Sequence, residues 1–195
     1  MVEPLTVGFH AIERGRVEKC DVVMVLGCGM IGAGAIAGAS LRGATVIAVD
    51  IDDHKLELAR DLGARHVINS RGTDLHQELE GITGGDGPDV VIEAAGNPLT
   101  YRAAVDEVAF TGRVVCIGYA GSEVSFATKL FVQKEIDIMG SRNATPEDFK
   151  NVISYLEQGS FPLEKMITLK VRPHEAALAE MPFGLPGWSF SKGIP

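Results

Sequence analysis

Gly27, Gly29 and Gly32 stand within six residues, GCGMIG, and Asp50 follows Gly32 by eighteen. Glycines at this spacing open the backbone to a pyrophosphate, and an acid about 20 residues further on can accept hydrogen bonds from a ribose. Each position has its own physical reason. Gly27 permits a tight turn, Gly29 lets the chain approach the anion, and Gly32 lets a following helix sit close to the preceding strand. A helix that starts inside the motif also turns free N–H groups and a partial positive charge toward the phosphates. Cys28, Met30 and Ile31 complete the loop. The carboxylate of Asp50 suits the two ribose hydroxyls of NAD and repels the 2′-phosphate of NADP. Asp52 and Asp53 add negative charge, no Arg occurs in the four residues after Asp50, and Lys55 either touches the same ribose or lies in solvent.

These residues need a strand, a turn and a helix to position them. VVMVL (Val22–Leu26) is β-branched and aliphatic and predicts a buried strand; Met30–Leu41, rich in Ala and Gly, predicts a helix packed on something flat. Val22 to Leu41 is a run of twenty uncharged residues, long enough to cross a bilayer. Five of the twenty are Gly, which favours a strand–turn–helix unit instead.

The alternation continues. Strands are expected at Thr45–Val49, His66–Ile68, Asp89–Ile92, Arg113–Ile117 and Glu135–Met139, six in all with the first. Helices are expected at Asp53–Leu62, Thr73–Leu79, Leu99–Ala109 and Pro146–Gln158, the last with Pro near its start and Gly159 past its end. Regular alternation implies βαβ units. The fold class is therefore α/β, a Rossmann-type doubly wound sheet of six parallel strands with helices on both faces. Ligands of such sheets lie beyond the carboxyl ends of the strands. Ala95 and Gly96 follow VVIE there, and Ile117, Gly118 and Tyr119 follow RVVC. Residues 1–18 form a separate helical segment entered after Pro4, residues 19–160 the dinucleotide-binding domain, and residues 161–195 a C-terminal extension. That extension contains the helical stretch HEAALAEM and the aromatic residues Phe183, Trp188 and Phe190.

The 195 residues are 46% hydrophobic and 23% charged, in the range of a chain with a real core. A net charge of −8 argues against nucleic acid or an anionic membrane as partner. Three cysteines without a CxxC pair fit a reducing cytoplasm, and no signal peptide is visible.

Groups able to activate an alcohol are missing. Short-chain oxidoreductases use Tyr with Lys four residues later; Tyr101, Tyr119 and Tyr155 are followed at that distance by Val105, Glu123 and Gly159. The histidines, His10, His54, His66, His76 and His174, are scattered and form no HxxxH or HxH pair, so no complete metal site is present.

The segment from VEPLTVGFHAIERGRV through GCGMIG to LELARDLGA, together with KEIDIMGSRNATPEDF and LEKMIT, resembles the zinc-dependent medium-chain dehydrogenases. The resemblance is to the alcohol, polyol and sugar-acid branch, which includes sorbitol, threonine and L-galactonate or L-gulonate dehydrogenases. It implies that Gly27 to Gly32 hold the pyrophosphate, with Ile31 behind the nicotinamide. By the same matching Asp50 and Lys55 fall at the adenosine ribose, and Ile117, Gly118 and Tyr119 at the nicotinamide amide. Glu3, in EPLTVG, matches an acid at or near the catalytic zinc. The resemblance further implies a catalytic domain of roughly 150 residues ahead of this unit. Its cysteine ligand, GHE-type motif and structural-zinc loop have no counterpart in this chain. The expectation is an NAD-binding domain that is catalytically incomplete alone and needs zinc only with the absent domain, as a cytoplasmic homodimer joined through edge strand 135–139. The substrate of the whole enzyme would be a small alcohol or polyol. A non-enzymatic NAD-binding module, for redox sensing or docking, is the alternative; completion by a separate chain is a third possibility.

Overall fold

The computed structural model describes residues 1–159 and 161–167. Helix α1 (Val2–Arg14) precedes β1 (Val22–Leu26), α2 (Met30–Leu41), β2 (Thr45–Asp50), α3 (Asp53–Asp61) and β3 (His66–Asn69). The second half contains α4 (Leu75–Thr83), β4 (Val90–Glu93), α5 (Pro98–Glu107), β5 (Arg113–Cys116), α6 (Lys129–Lys134), β6 (Asp137–Gly140), α7 (Pro146–Glu157) and α8 (Leu163–Met166). The strands form one six-stranded sheet in the order β3-β2-β1-β4-β5-β6, and every pairing is parallel. The expected doubly wound Rossmann architecture is thus present. The strand order reverses at β1 and β4, which places the crevice at the carboxyl ends of those two strands.

Alternation along the strands feeds two cores. Val23 and Val25 of β1 point to one face with Val46, Ala48, Val90 and Ile92. Met24 and Leu26 point to the other with Ile47, Val49 and Val91. Helices α1, α2, α3 and α7 cover the first face through Leu5, Ile12, Ile36, Leu56, Val152 and Tyr155. Helices α4 and α5 cover the second through Leu79 and Ala104. Both faces of the central strands are dry, so they read as continuous apolar runs.

Helix α2 is almost wholly apolar because Gly32 to Ala39 are all buried, between the sheet and α1. The approach of α1 is close enough to exclude side chains. A Cβ on Gly8 would lie 2.3 Å from the Ile31 carbonyl oxygen and 2.4 Å from the Ala35 nitrogen. One on Gly34 would lie 2.4 Å from the Leu5 carbonyl oxygen. Helix α1 therefore shares the core of the sheet. It begins at Val2, ahead of Pro4, because a proline in the first turn removes only an N–H that has no helical partner.

Several boundaries differ from the sequence expectation. Helix α4 starts at Leu75 rather than Thr73 because Asp74 caps it, accepting from the His76 and Gln77 amides, and it runs to a left-handed Gly84. The edge strand covers Asp137–Gly140 rather than Glu135–Met139. Lys129–Lys134 form α6 just before it, and Glu135 turns into the left-handed region (φ 51°) to leave that helix, so pairing begins only afterwards. The helical stretch and aromatic residues expected near the C-terminus lie outside the described residues. Among the described residues no helix is long and apolar enough to cross a membrane.

Candidate functional site

The turn out of β1 is built as the glycine spacing requires. Gly27 has φ +93°, and its N–H donates to the Val49 carbonyl at 2.8 Å. A Cβ on Gly32 would lie 1.8 Å from the Gly27 carbonyl oxygen, so the helix can rest on the turn only with glycine there. Gly29 is different. It is the N-cap of α2 with φ −66°, and a Cβ there would meet nothing within 4 Å. No side chain caps α2, whereas Asp52, Asp74, Asn97 and Thr145 cap α3, α4, α5 and α7. The first-turn N–H groups of α2 therefore have no side-chain cap, which suits an anion.

Asp50 ends β2 beside this turn and is only 8% exposed. Its Oδ2 accepts the Cys28 N–H at 2.7 Å; its Oδ1 accepts the N–H groups of Ile51 at 2.8 Å and Asp52 at 3.1 Å. The Lys55 ammonium stands 3.9 Å from Oδ1. A carboxylate offers about four acceptor positions, so Oδ2 keeps capacity for an outside hydroxyl. The Cys28 thiol is buried and faces the Val49 carbonyl at 3.6 Å. Burial, then the Asp50 charge, push its pKa far up. It is a packing group, not a nucleophile.

The loops after β4 and β5 meet over the same crevice. A Cβ on Gly27 would lie 2.9 Å from the Ala95 nitrogen, and one on Gly96 would lie 2.7 Å from the Tyr119 carbonyl oxygen. The N–H groups of Ile117 and Gly118 donate to the Glu93 carbonyl at 2.9 and 3.0 Å. Ile117 is buried, while Tyr119 is 81% exposed. The fold thus brings together Gly27, Cys28, Gly29, Met30, Ile31, Gly32, Asp50, Lys55, Ala95, Gly96, Ile117, Gly118 and Tyr119 at one end of the sheet.

Glu3 is exposed in the first turn of α1. Among the described residues no group of three or more His, Cys, Asp or Glu is placed to hold a metal. The described residues therefore do not fit a zinc site, and no zinc step can be assigned to them. His10 is structural: its Nδ1 lies 2.9 Å from Asp148 Oδ2 and ties α1 to the first turn of α7. Asp148 also receives the Thr145 amide and hydroxyl, both at 2.7 Å.

One residue of the crevice floor carries little signal in the sequence. Glu93 ends β4 with no exposed surface. Its only mark is that an acid closes a buried apolar strand, as Asp50 does in β2.

An uncapped glycine-turn helix, a held acid on the adjacent strand and small-residue loops at a topological switch point define a dinucleotide-binding α/β domain. Comparison with known proteins narrows the class. Residues 31–158 match the model of a family described as zinc-binding dehydrogenase. The chain belongs to that family. It is 40% identical over 159 residues to the D-xylulose reductase of Scheffersomyces stipitis, covering 80% of this chain and 44% of that protein. It is 35% identical over 185 residues to the erythritol/L-threitol dehydrogenase of Mycolicibacterium smegmatis, covering 94% and 49%. An alcohol dehydrogenase from Escherichia coli CFT073, solved in complex with NADH, superposes with a TM-score of 0.82 at 29% identity, over 92% of this chain and 53% of that one. The chain spans about half the length of the relatives it matches.

Proposed function

We propose that this chain is the NAD(H)-binding domain of a zinc-type alcohol, polyol or sugar-acid dehydrogenase. In that reaction a secondary alcohol yields a ketone: its C–H bond breaks with the electron pair to NAD⁺, giving NADH, and its O–H proton leaves to solvent. The chain's own part is to bind and orient the dinucleotide. Gly29, Met30, Ile31 and Gly32 present N–H groups to the pyrophosphate; Asp50 takes the ribose hydroxyls and disfavours a 2′-phosphate, with Lys55 beside it. Ala95, Gly96, Ile117, Gly118 and Tyr119 line the nicotinamide end. Glu3 is assigned a place near the zinc of the whole enzyme, whose ligands would come from outside this set, so the chain alone is catalytically incomplete. Residues 1–18 form the junction, 19–160 the cofactor domain and 161–195 an extension.

The observation that carries this reading is Asp50 held by the Cys28 amide at 2.7 Å beside the uncapped start of α2. It is supported by the NADH complex of the E. coli neighbour. Free thiols at Cys20, Cys28 and Cys116 suit a cytoplasmic setting. Strand β6 lies at the sheet edge, with Ile138 of the strand 44% and Val132 of α6 79% exposed, which supports a homodimer formed edge to edge. Calorimetric titration with NAD⁺ and NADP⁺, on the chain and on Asp50→Ala, tests the cofactor assignment. NAD⁺ binding that falls sharply in the variant, with little NADP⁺ binding, is expected; absence of both overturns it.

A further inference from the structure

Glu93 binds both loops that close the inner end of the crevice. Its Oε1 accepts the N–H groups of Ala95 at 3.1 Å and Gly96 at 2.9 Å and the Thr100 hydroxyl at 2.7 Å. Its carbonyl accepts the N–H groups of Ile117 and Gly118. Side chain and main chain of one residue thereby fix loop 94–97 and loop 117–119. The other carboxyl oxygen, Oε2, is buried with no hydrogen-bond partner among the described residues. A Cβ on Gly118 would come within 2.6 Å of it.

Buried carboxyls without full partners are rare, because desolvation costs more than a loop tie returns. Burial raises the Glu93 carboxyl above its usual value, against the opposing bonds from Thr100 and the Gly96 and Ala95 amides. The titratable neighbours are Tyr101 on α5, whose hydroxyl donates to the Gly118 carbonyl, and Cys116 on β5. Burial pushes them up to about 12 and about 11, so both are neutral at physiological pH. The acid of the adenosine end, Asp50, lies on a different strand, β2.

We propose that Glu93 is a positioning residue for the nicotinamide half of the site: its carboxyl holds loop 94–97 beside loop 117–119, which its carbonyl anchors, and the adenosine half does not depend on that carboxyl. This rests on the cofactor reading above. The test is calorimetric titration of the chain with NADH and with ADP-ribose, which lacks the nicotinamide. In Glu93→Ala, NADH binding is expected to weaken about tenfold, and ADP-ribose binding to stay within about twofold. Glu93→Gln keeps an Oε1 acceptor, so NADH binding should return to within about threefold of the parent. Equal weakening of both ligands, no change in Glu93→Ala, or failure of Gln to restore binding overturns the proposal. If thermal melting shows that Glu93→Ala does not fold, Thr100→Val replaces it; that variant removes one donor, and a loss that does not favour NADH over ADP-ribose again overturns it. A parent chain that binds ADP-ribose but gains nothing from the nicotinamide overturns this inference alone. A parent chain that binds neither overturns the cofactor reading itself.

Discussion

The Cys28 amide and the Asp50 carboxylate, 22 positions apart in sequence, meet at 2.7 Å and join the turn after β1 to the end of β2. The acid proposed to select the cofactor is thus also part of the scaffold that shapes the loop. Asp50→Ala should therefore cost stability as well as affinity. Three backbone donors lose their acceptor, and a loss of about 1–3 kcal/mol is expected in denaturant unfolding. Asp50→Asn keeps one oxygen and should separate the effects, with milder destabilisation and a narrowed preference for NAD⁺ over NADP⁺ in calorimetry.

Gly29 and Gly32 should respond oppositely to the same substitution. In Gly32→Ala the new methyl would overlap the Gly27 carbonyl oxygen, 1.8 Å away. Thermal melting should show destabilisation of about 3 kcal/mol, by overpacking against backbone that cannot yield. In Gly29→Ala the methyl points into open space, so the melting temperature should hold. NADH affinity should fall about tenfold in that variant, because the space is where the pyrophosphate would approach.

Asp148 should give the fold an acid limit. Burial alone would raise its carboxyl, but the bonds from Thr145 and His10 outweigh burial and hold it below the ordinary value. A depressed folded-state pKa contributes stability that is complete above the unfolded value, about 3.9, and lost as pH falls through the folded value. Asp148→Asn should cost about 1–2 kcal/mol at neutral pH through the weakened cap of α7. The difference from the parent should shrink as denaturation curves are taken to acid.

The edge of the sheet offers a test of assembly. Ile138→Lys places a charge on an exposed edge position, a device that blocks strand pairing. Light scattering after size exclusion should show a dimer for the parent and a monomer for the variant, with the melting transition of the variant retained.

Local sequence carried most of this fold. Strand β1 and helix α2 have the bounds the pattern predicts, because an apolar run, a glycine turn and an Ala-rich segment leave one arrangement open. Helix α6 is illegible in the sequence because Lys129–Lys134 is too short to display a helical period, so the apolar pattern alone starts the edge strand too early. Glu93 and the pair His10–Asp148 were illegible for another reason. The pair is 138 residues apart and the loops Glu93 ties come from different strands, so only the closed sheet puts them together.

The contact between α1 and α2 has a consequence for how the sequence can drift. The atoms that a side chain on Gly8 would strike are the Ile31 carbonyl oxygen, the Ala35 nitrogen and the Gly34 carbonyl carbon, all of them main chain. Side chain on Gly34 would strike the main chain of Leu5 in turn. A crowded pair of side chains can be relieved by trimming the partner, but a backbone has nothing to trim. Suppressor mutations should therefore be scarce at both positions, and a screen for second-site revertants of Gly8→Ala should return mostly reversion to glycine.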